Sequence, residues 1–112
     1  MNEIVWRSFD EYAKQWDFPF VDIENVSVQR YEPAQKYDVH TDAGPGLPRV
    51  CSALVYLNTV EFGGETYFPH FDYKVTPVEG TLVIFPSNYV YAHAALPPKT
   101  EVKYAAAYWA RG

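Results

Sequence analysis

The pattern of apolar and polar positions divides this chain into one short helix and a long series of short strands. In the stretch Ser8 to Trp16, the residues Phe9, Tyr12, Ala13 and Trp16 fall on one helical face. Ser8 reads as the N-cap, with Glu11 three residues on completing a capping box. Phe18-Pro19-Phe20 ends the helix. Beyond it the period shortens, and the candidate strands are Val26–Tyr31, Lys36–His40, Val50–Asn58, Glu65–Phe68, Tyr73–Thr76, Thr81–Phe85, Tyr91–Ala94 and Glu101–Trp109. Turn signals separate them, among them Gly44-Pro45-Gly46-Leu47-Pro48, Gly63-Gly64 and Pro97-Pro98. Short strands with this punctuation predict a mostly β fold, a double-stranded β-helix (jelly roll, cupin-like) with one short N-terminal helix. The chain reads as a single domain over residues 1–112, with a helical segment 1–24 and a jelly-roll core 25–112. The two Pro/Gly loops, 43–48 and 59–72, are the candidate mobile lids.

Alternation also assigns faces. On the strand Val50–Asn58, the residues Cys51, Ala53, Val55 and Leu57 form an apolar set suited to a core. Ser52, Leu54 and Tyr56 on the other face suit a polar pocket. On the last strand, Lys103, Ala105, Ala107 and Trp109 share one side. Two alanines between a lysine and a tryptophan leave a hollow with a cation at one end, which is what a small dicarboxylate requires.

The composition, 48% apolar and 18% aromatic, is that of a folded domain and excludes a disordered acidic segment. A formal charge of −5 without any Lys/Arg cluster argues against nucleic acid or an anionic membrane as partner. No apolar run reaches eighteen residues and no signal pattern opens the chain, so a cytoplasmic location is expected. Cys51, the single cysteine, allows no intrachain disulfide and is expected to pack.

The candidate chemistry is His40-Thr41-Asp42 with His93. Two imidazoles and one carboxylate occupy one face of an octahedral metal and leave three positions open, the arrangement of non-haem Fe(II). A His-x-Asp alone is weak, but here it stands in an ordered set of motifs. Gln29 through Asp42 leads into the first ligands; Val55-Tyr56-Leu57-Asn58 and Gly63-Gly64-Glu65-Thr66-Tyr67-Phe68-Pro69 follow. Pro77-x-x-Gly80-Thr81-Leu82-Val83-Ile84-Phe85 then precedes His93, with Lys103 and Trp109 behind it. Together they resemble the prolyl 4-hydroxylase group of the Fe(II)/2-oxoglutarate-dependent dioxygenases, from about Val26 onward.

The resemblance implies that His40, Asp42 and His93 ligate Fe(II), and that Lys103 pairs with the distal carboxylate of 2-oxoglutarate while Tyr56 hydrogen-bonds it. Tyr31 and Trp109 would line the cosubstrate and substrate side of the pocket. It further implies consumption of O2, decarboxylation of 2-oxoglutarate to succinate and CO2, and hydroxylation of a peptide or protein substrate at proline, with ascorbate as a candidate reductant. A dioxygenase of a free amino acid or other small molecule, and a metal-binding jelly roll without turnover, are the rival readings. Two departures stand out. Fewer residues precede the first matching strand than is usual for the family, as in a minimal viral or bacterial version or a trimmed chain, and Ala34 replaces the glycine of a Pro-Gly-Gln turn. His70 and Lys99 are expected to face solvent. Arg49 is open between a substrate contact and a surface role.

Overall fold

In the computed structural model, which describes residues 2–112, helix α1 (Asn2–Trp16) precedes nine strands. These are β1 (Asp22–Ile23), β2 (Ser27–Tyr31), β3 (Tyr37–His40), β4 (Arg49–Tyr56) and β5 (Thr66–Phe68), then β6 (Tyr73–Val75), β7 (Leu82–Pro86), β8 (His93–Ala95) and β9 (Lys103–Arg111). They form two antiparallel sheets. One runs β1-β9-β4-β7, with β2 also paired to β9; the other runs β3-β8-β5-β6. This is the expected jelly roll.

The larger sheet separates two environments by the pleat. Cys51, Ala53 and Val55 of β4 and Ala106, Tyr108 and Ala110 of β9 face the helix, where they enclose Val5 and Phe9 in the core. The alternate residues of the same strands face the second sheet. Cys51 lies fully in the core layer, where burial pushes its thiol up to about 12. It packs, as expected of it.

The helix is longer than its apolar stripe suggested. It starts at Asn2 rather than Ser8, and Ser8 is no N-cap: its hydroxyl donates to the carbonyl of Ile4, one turn back. The buried face is Val5, Phe9 and Ala13, at spacings of four, whereas Trp16 is largely exposed. Val5 was missed because the capping-box pattern placed the boundary after it. The strand expected at Tyr91–Ala94 is also displaced. Asn88 caps a 3-10 turn over Tyr89–Tyr91, its side chain accepting from the Val90 amide, and pairing begins only at His93. Strand β1 carries no alternation long enough to show in the sequence.

Of the two loops read as lids, 59–72 is pinned. Val60 is buried, β5 lies within the segment, and the Gly64 amide donates to the carbonyl of Pro97. At Gly63, with φ +75°, a Cβ would come within 2.4 Å of that same carbonyl oxygen, so only glycine allows the approach. The 43–48 segment is a surface turn closed by reciprocal backbone bonds between Gly44 and Leu47.

Ala34 occupies the left-handed region at φ +72°, so the turn keeps a glycine conformation without the glycine. Relief of that strain exceeds the extra unfolded-state entropy of a glycine. Ala34→Gly is therefore expected to raise unfolding free energy by about 0.5–1 kcal/mol, read as a higher urea midpoint with unchanged m-value.

Candidate metal and cosubstrate site

Strand register builds the site between the two sheets. β3 and β8 pair so that His40 and His93 are direct cross-strand partners, their ring centroids 4.4 Å apart. Each imidazole has its Nδ1 against a backbone carbonyl, His40 on Asp38 at 2.9 Å and His93 on Tyr91 at 3.0 Å. A carbonyl only accepts, so both Nδ1 atoms carry the hydrogen and both Nε2 lone pairs point inward. They converge on Asp42 Oδ1, at 3.3 Å from His40 and 3.6 Å from His93. Three lone-pair atoms within 4.8 Å of one another suit a bound cation far better than one another. The donor set thus fits a divalent metal of the iron type. Among the described residues, this is the one His/Cys/Asp/Glu group close enough to hold an ion.

The carboxylate is buried, and its other oxygen is tied. Ser52 Oγ donates to Oδ2 at 2.6 Å and Trp109 Nε1 donates at 3.1 Å. Burial alone would raise the Asp42 pKa, but the histidines and these two donors outweigh it and bring it down to about 2. Burial likewise lowers His93; at His40 burial also acts to lower, but the Asp42 carboxylate and Asp38 carbonyl prevail and raise it.

Arg49 braces the site from behind, its Nη1 donating to the Asp42 backbone carbonyl at 3.4 Å. It is clamped by Glu24, Nε to Oε2 at 2.9 Å and Nη2 to Oε1 at 3.1 Å, and its guanidinium lies 3.9 Å from the centre of the Trp109 ring. This is neither a free substrate contact nor a surface role: the arginine holds the tryptophan that holds Asp42.

The same alternation fills the rest of the pocket. Ser52 pairs across from Trp109, Leu54 from Ala107 and Tyr56 from Ala105, while on the other side of β9 Tyr31 pairs with Lys103 and Gln29 with Ala105. Lys103 is 2% exposed, with its ammonium 5.1 Å from the Tyr31 ring centre and 5.5 Å from that of Tyr56. Among the described residues, no carboxylate forms an ion pair with it. Tyr56 Oη lies 2.7 Å from Thr66 Oγ1 on the opposite sheet. Every site residue expected from sequence (His40, Asp42, His93, Lys103, Tyr56, Tyr31 and Trp109) lines this one pocket. His70 and Lys99 are exposed and outside it.

Three contributors were not legible as site residues. Thr66 is the hydroxyl partner of Tyr56, and strand alternation around Phe68 could have turned it inward. Asn58 grips the backbone on both sides of Lys103, donating to the Val102 carbonyl at 2.7 Å and accepting from the Tyr104 amide at 2.8 Å. Its place after Tyr56 in a quoted motif was the available signal. Ser87, 2.8 Å from Ser52, sits in a turn where no period points anywhere.

The family profile of the 2OG-Fe(II) oxygenase superfamily matches residues 26–111, which takes in every residue of this site. The chain belongs to that superfamily. A prolyl 4-hydroxylase homologue from Acanthamoeba polyphaga mimivirus is 32% identical over 130 residues, covering 98% of this chain and 54% of that protein. Prolyl 4-hydroxylase 2 of Arabidopsis thaliana is 42% identical over 73 residues, 58% of this chain and 24% of that protein. Among solved structures, the collagen prolyl hydroxylase of Paramecium bursaria Chlorella virus-1, in complex with 2OG, superposes with a TM-score of 0.81 at 30% identity, over 96% of this chain and 70% of that one. A Pseudomonas putida prolyl-4-hydroxylase gives 0.73 at 25%, over 88% and 56%. The chain spans about half or less of the length of the curated relatives it matches.

Burial drives the Lys103 ammonium down to about 8, with the Glu65 carboxylate offsetting part of the cost. Below that pH the amine is charged in folded and unfolded chains alike, and the folded state bears its desolvation. Between pH 8 and 10.5 the folded chain binds fewer protons than the unfolded one, so stability rises with pH, by roughly 3 kcal/mol in all. Lys103→Met is expected to raise the melting temperature of the protein alone at pH 7 and to abolish this rise, measured as the difference between the two proteins' unfolding curves across that range.

Proposed function

We propose that this chain is an Fe(II)- and 2-oxoglutarate-dependent dioxygenase that hydroxylates prolyl residues of a peptide or protein and converts 2-oxoglutarate to succinate and CO2. The observation that carries the reading is one pocket with a His-Asp-His donor set at one end and, at the other, a buried lysine that has no carboxylate ion pair among the described residues. A 2-oxo dicarboxylate has the matching chemistry: a chelating oxo-acid end, and a far carboxylate that needs a cation.

In this reading His40, Asp42 and His93 hold the iron, which when bound supplies the Lewis acidity and the electrons for oxygen chemistry. The chain's own residues do the rest. Lys103 neutralises the far carboxylate in a site closed to water, where a charge pair is strong. Tyr56 and Thr66 offer it hydroxyls, and their mutual bond presets both. Ala105 and Ala107 leave the room that larger side chains would fill. Phe68 and Phe85 pack on the His93 ring, at 5.6 and 4.9 Å between centroids, and keep it dry and oriented. Tyr37, half exposed and 4.0 Å from the His40 ring, is a ready aromatic wall beside the metal ligands for a proline ring.

The choice of proline is supported by the prolyl hydroxylases that the chain resembles along nearly its whole length. Ascorbate is read as a supporting reductant, and the setting as cytoplasmic.

The test is mass spectrometry of proline-containing peptides incubated with protein, Fe(II), 2-oxoglutarate and air, with and without ascorbate, while succinate is quantified. A gain of one oxygen on proline matched by succinate is expected. Succinate without oxidised peptide would move the substrate to a free amino acid or other small molecule, and neither product from metal-loaded protein would leave a binding module. Lys103→Ala is expected to weaken 2-oxoglutarate binding about 30- to 1,000-fold by calorimetry, the scale of losing one partner of a buried charge pair. Asp42→Ala is expected to abolish turnover while the circular dichroism spectrum is retained.

A further inference from the structure

A hydroxyl has one hydrogen to give, and that fact orders the polar cluster behind Asp42. Ser52 and Ser87 are both almost completely buried, 1% and 2% exposed, and their oxygens lie 2.8 Å apart. An ionised carboxylate only accepts, so the hydrogen of Ser52 is committed to Asp42 Oδ2 at 2.6 Å. The short contact between the serines must then be Ser87 donating to Ser52. The chain of hydrogen bonds runs one way, from Ser87 through Ser52 to Asp42, and a hydroxyl that receives such a bond is a better donor in turn.

The backbone of Ser87 is held as firmly as its side chain. Its amide donates to the Val50 carbonyl at 3.2 Å, and its carbonyl accepts from Ala43, the residue after Asp42, at 3.0 Å. Ser87 thus joins the strand that carries Ser52, the turn that follows Asp42, and the segment that leads to His93.

We propose that Ser87 is a positioning residue for the metal centre: it aims the Ser52 hydroxyl at Asp42 Oδ2, so that the carboxylate offers the metal Oδ1 alone. Without this restraint the carboxylate is free to turn, and either oxygen, or both, can face the two imidazoles. Trp109 Nε1 shares the task at 3.1 Å, the longer of the two contacts on Oδ2. The inference rests on the metal reading of His40, Asp42 and His93 given above. It adds a residue six positions from the nearest ligand, His93, to that centre's working parts only in the sense of orientation; Ser87 touches neither metal nor cosubstrate.

Ser87→Ala removes the hydroxyl and leaves every backbone bond in place, which separates the relay from the fold. Mn(II) is the probe, titrated by calorimetry into metal-free wild type, Ser52→Ala, Ser87→Ala and the double variant, each first shown to melt cooperatively. Ser52→Ala is expected to bind 10- to 100-fold more weakly, the range for lost outer partners of metal ligands. Ser87→Ala is expected to bind about 10-fold more weakly, and the double variant no more weakly than Ser52→Ala, because the two act in series. At saturating Co(II), the visible absorption bands of Ser87→Ala are expected to shift in position and intensity, which a loss of occupancy alone would not produce. Ser87→Ala binding Mn(II) within twofold of wild type, or losses that multiply in the double variant, would overturn the proposal. Wild type that fails to bind Mn(II) at all would instead overturn the metal reading. Should Ser87→Ala not fold, Ser87→Cys keeps a side-chain donor, weaker and somewhat larger, and must show the same ordering.

Discussion

The carboxylate of Asp42 is the constraint on which the site depends. It is 6% exposed, and a buried carboxylate is tolerable only where donors or a cation meet it on every side. Four strands meet it: Ser52 of β4 and Trp109 of β9 donate to Oδ2, and the Nε2 lone pairs of His40 on β3 and His93 on β8 face Oδ1, where a cation would sit among them; Arg49 donates to the backbone carbonyl of the same residue. Remote parts of the chain are drawn into this arrangement. Glu24, just past β1, clamps Arg49; Arg49 lies on Trp109; Trp109 donates to Asp42. A charge pair set behind the pocket thereby acts on the carboxylate inside it.

The two sides of the larger sheet meet opposite demands with one pleat. Toward the helix, β9 places Ala106, Tyr108 and Ala110 in a close-packed core. Toward the second sheet, it places Lys103, Ala105, Ala107 and Trp109, and the small residues there keep a space open. Such a strand cannot slip by one residue without exchanging a core for a binding pocket, so register and function are secured together. The bonds from Asn58 to both neighbours of Lys103 add a local lock at the end where a slip would place the lysine wrongly. The cost of keeping that lysine buried falls on stability, a common price of preorganised charge.

Much of this was legible in the chain itself. Period-two alternation identifies the strands and assigns both faces of β4 and β9, because a strand must place alternate residues on opposite sides whatever it packs against. The candidate metal-binding set is equally local: only a few side chains offer a metal a lone pair, and His40, Asp42 and His93 stand among ordered motifs. Boundaries were less legible. The helix reaches back to Asn2 because Val5 finds a place under the sheet, and Ser8, for all its resemblance to a cap, lies inside it.

What the sequence by itself determined, then, is the set of elements, the faces of the strands and the chemical character of the pocket, since each follows from residue type and short-range periodicity. Only the tertiary structure decided which atoms meet. The cross-strand pairing of His40 with His93, the reach of Thr66 to Tyr56 across the two sheets, the clamping of Arg49 by Glu24 and the line from Ser87 to Asp42 all join residues distant in the chain. Contacts of that kind depend on strand order and on the direction of each hydrogen bond. Neither has a period along the chain, because both are settled by the closing of two sheets over one buried charge.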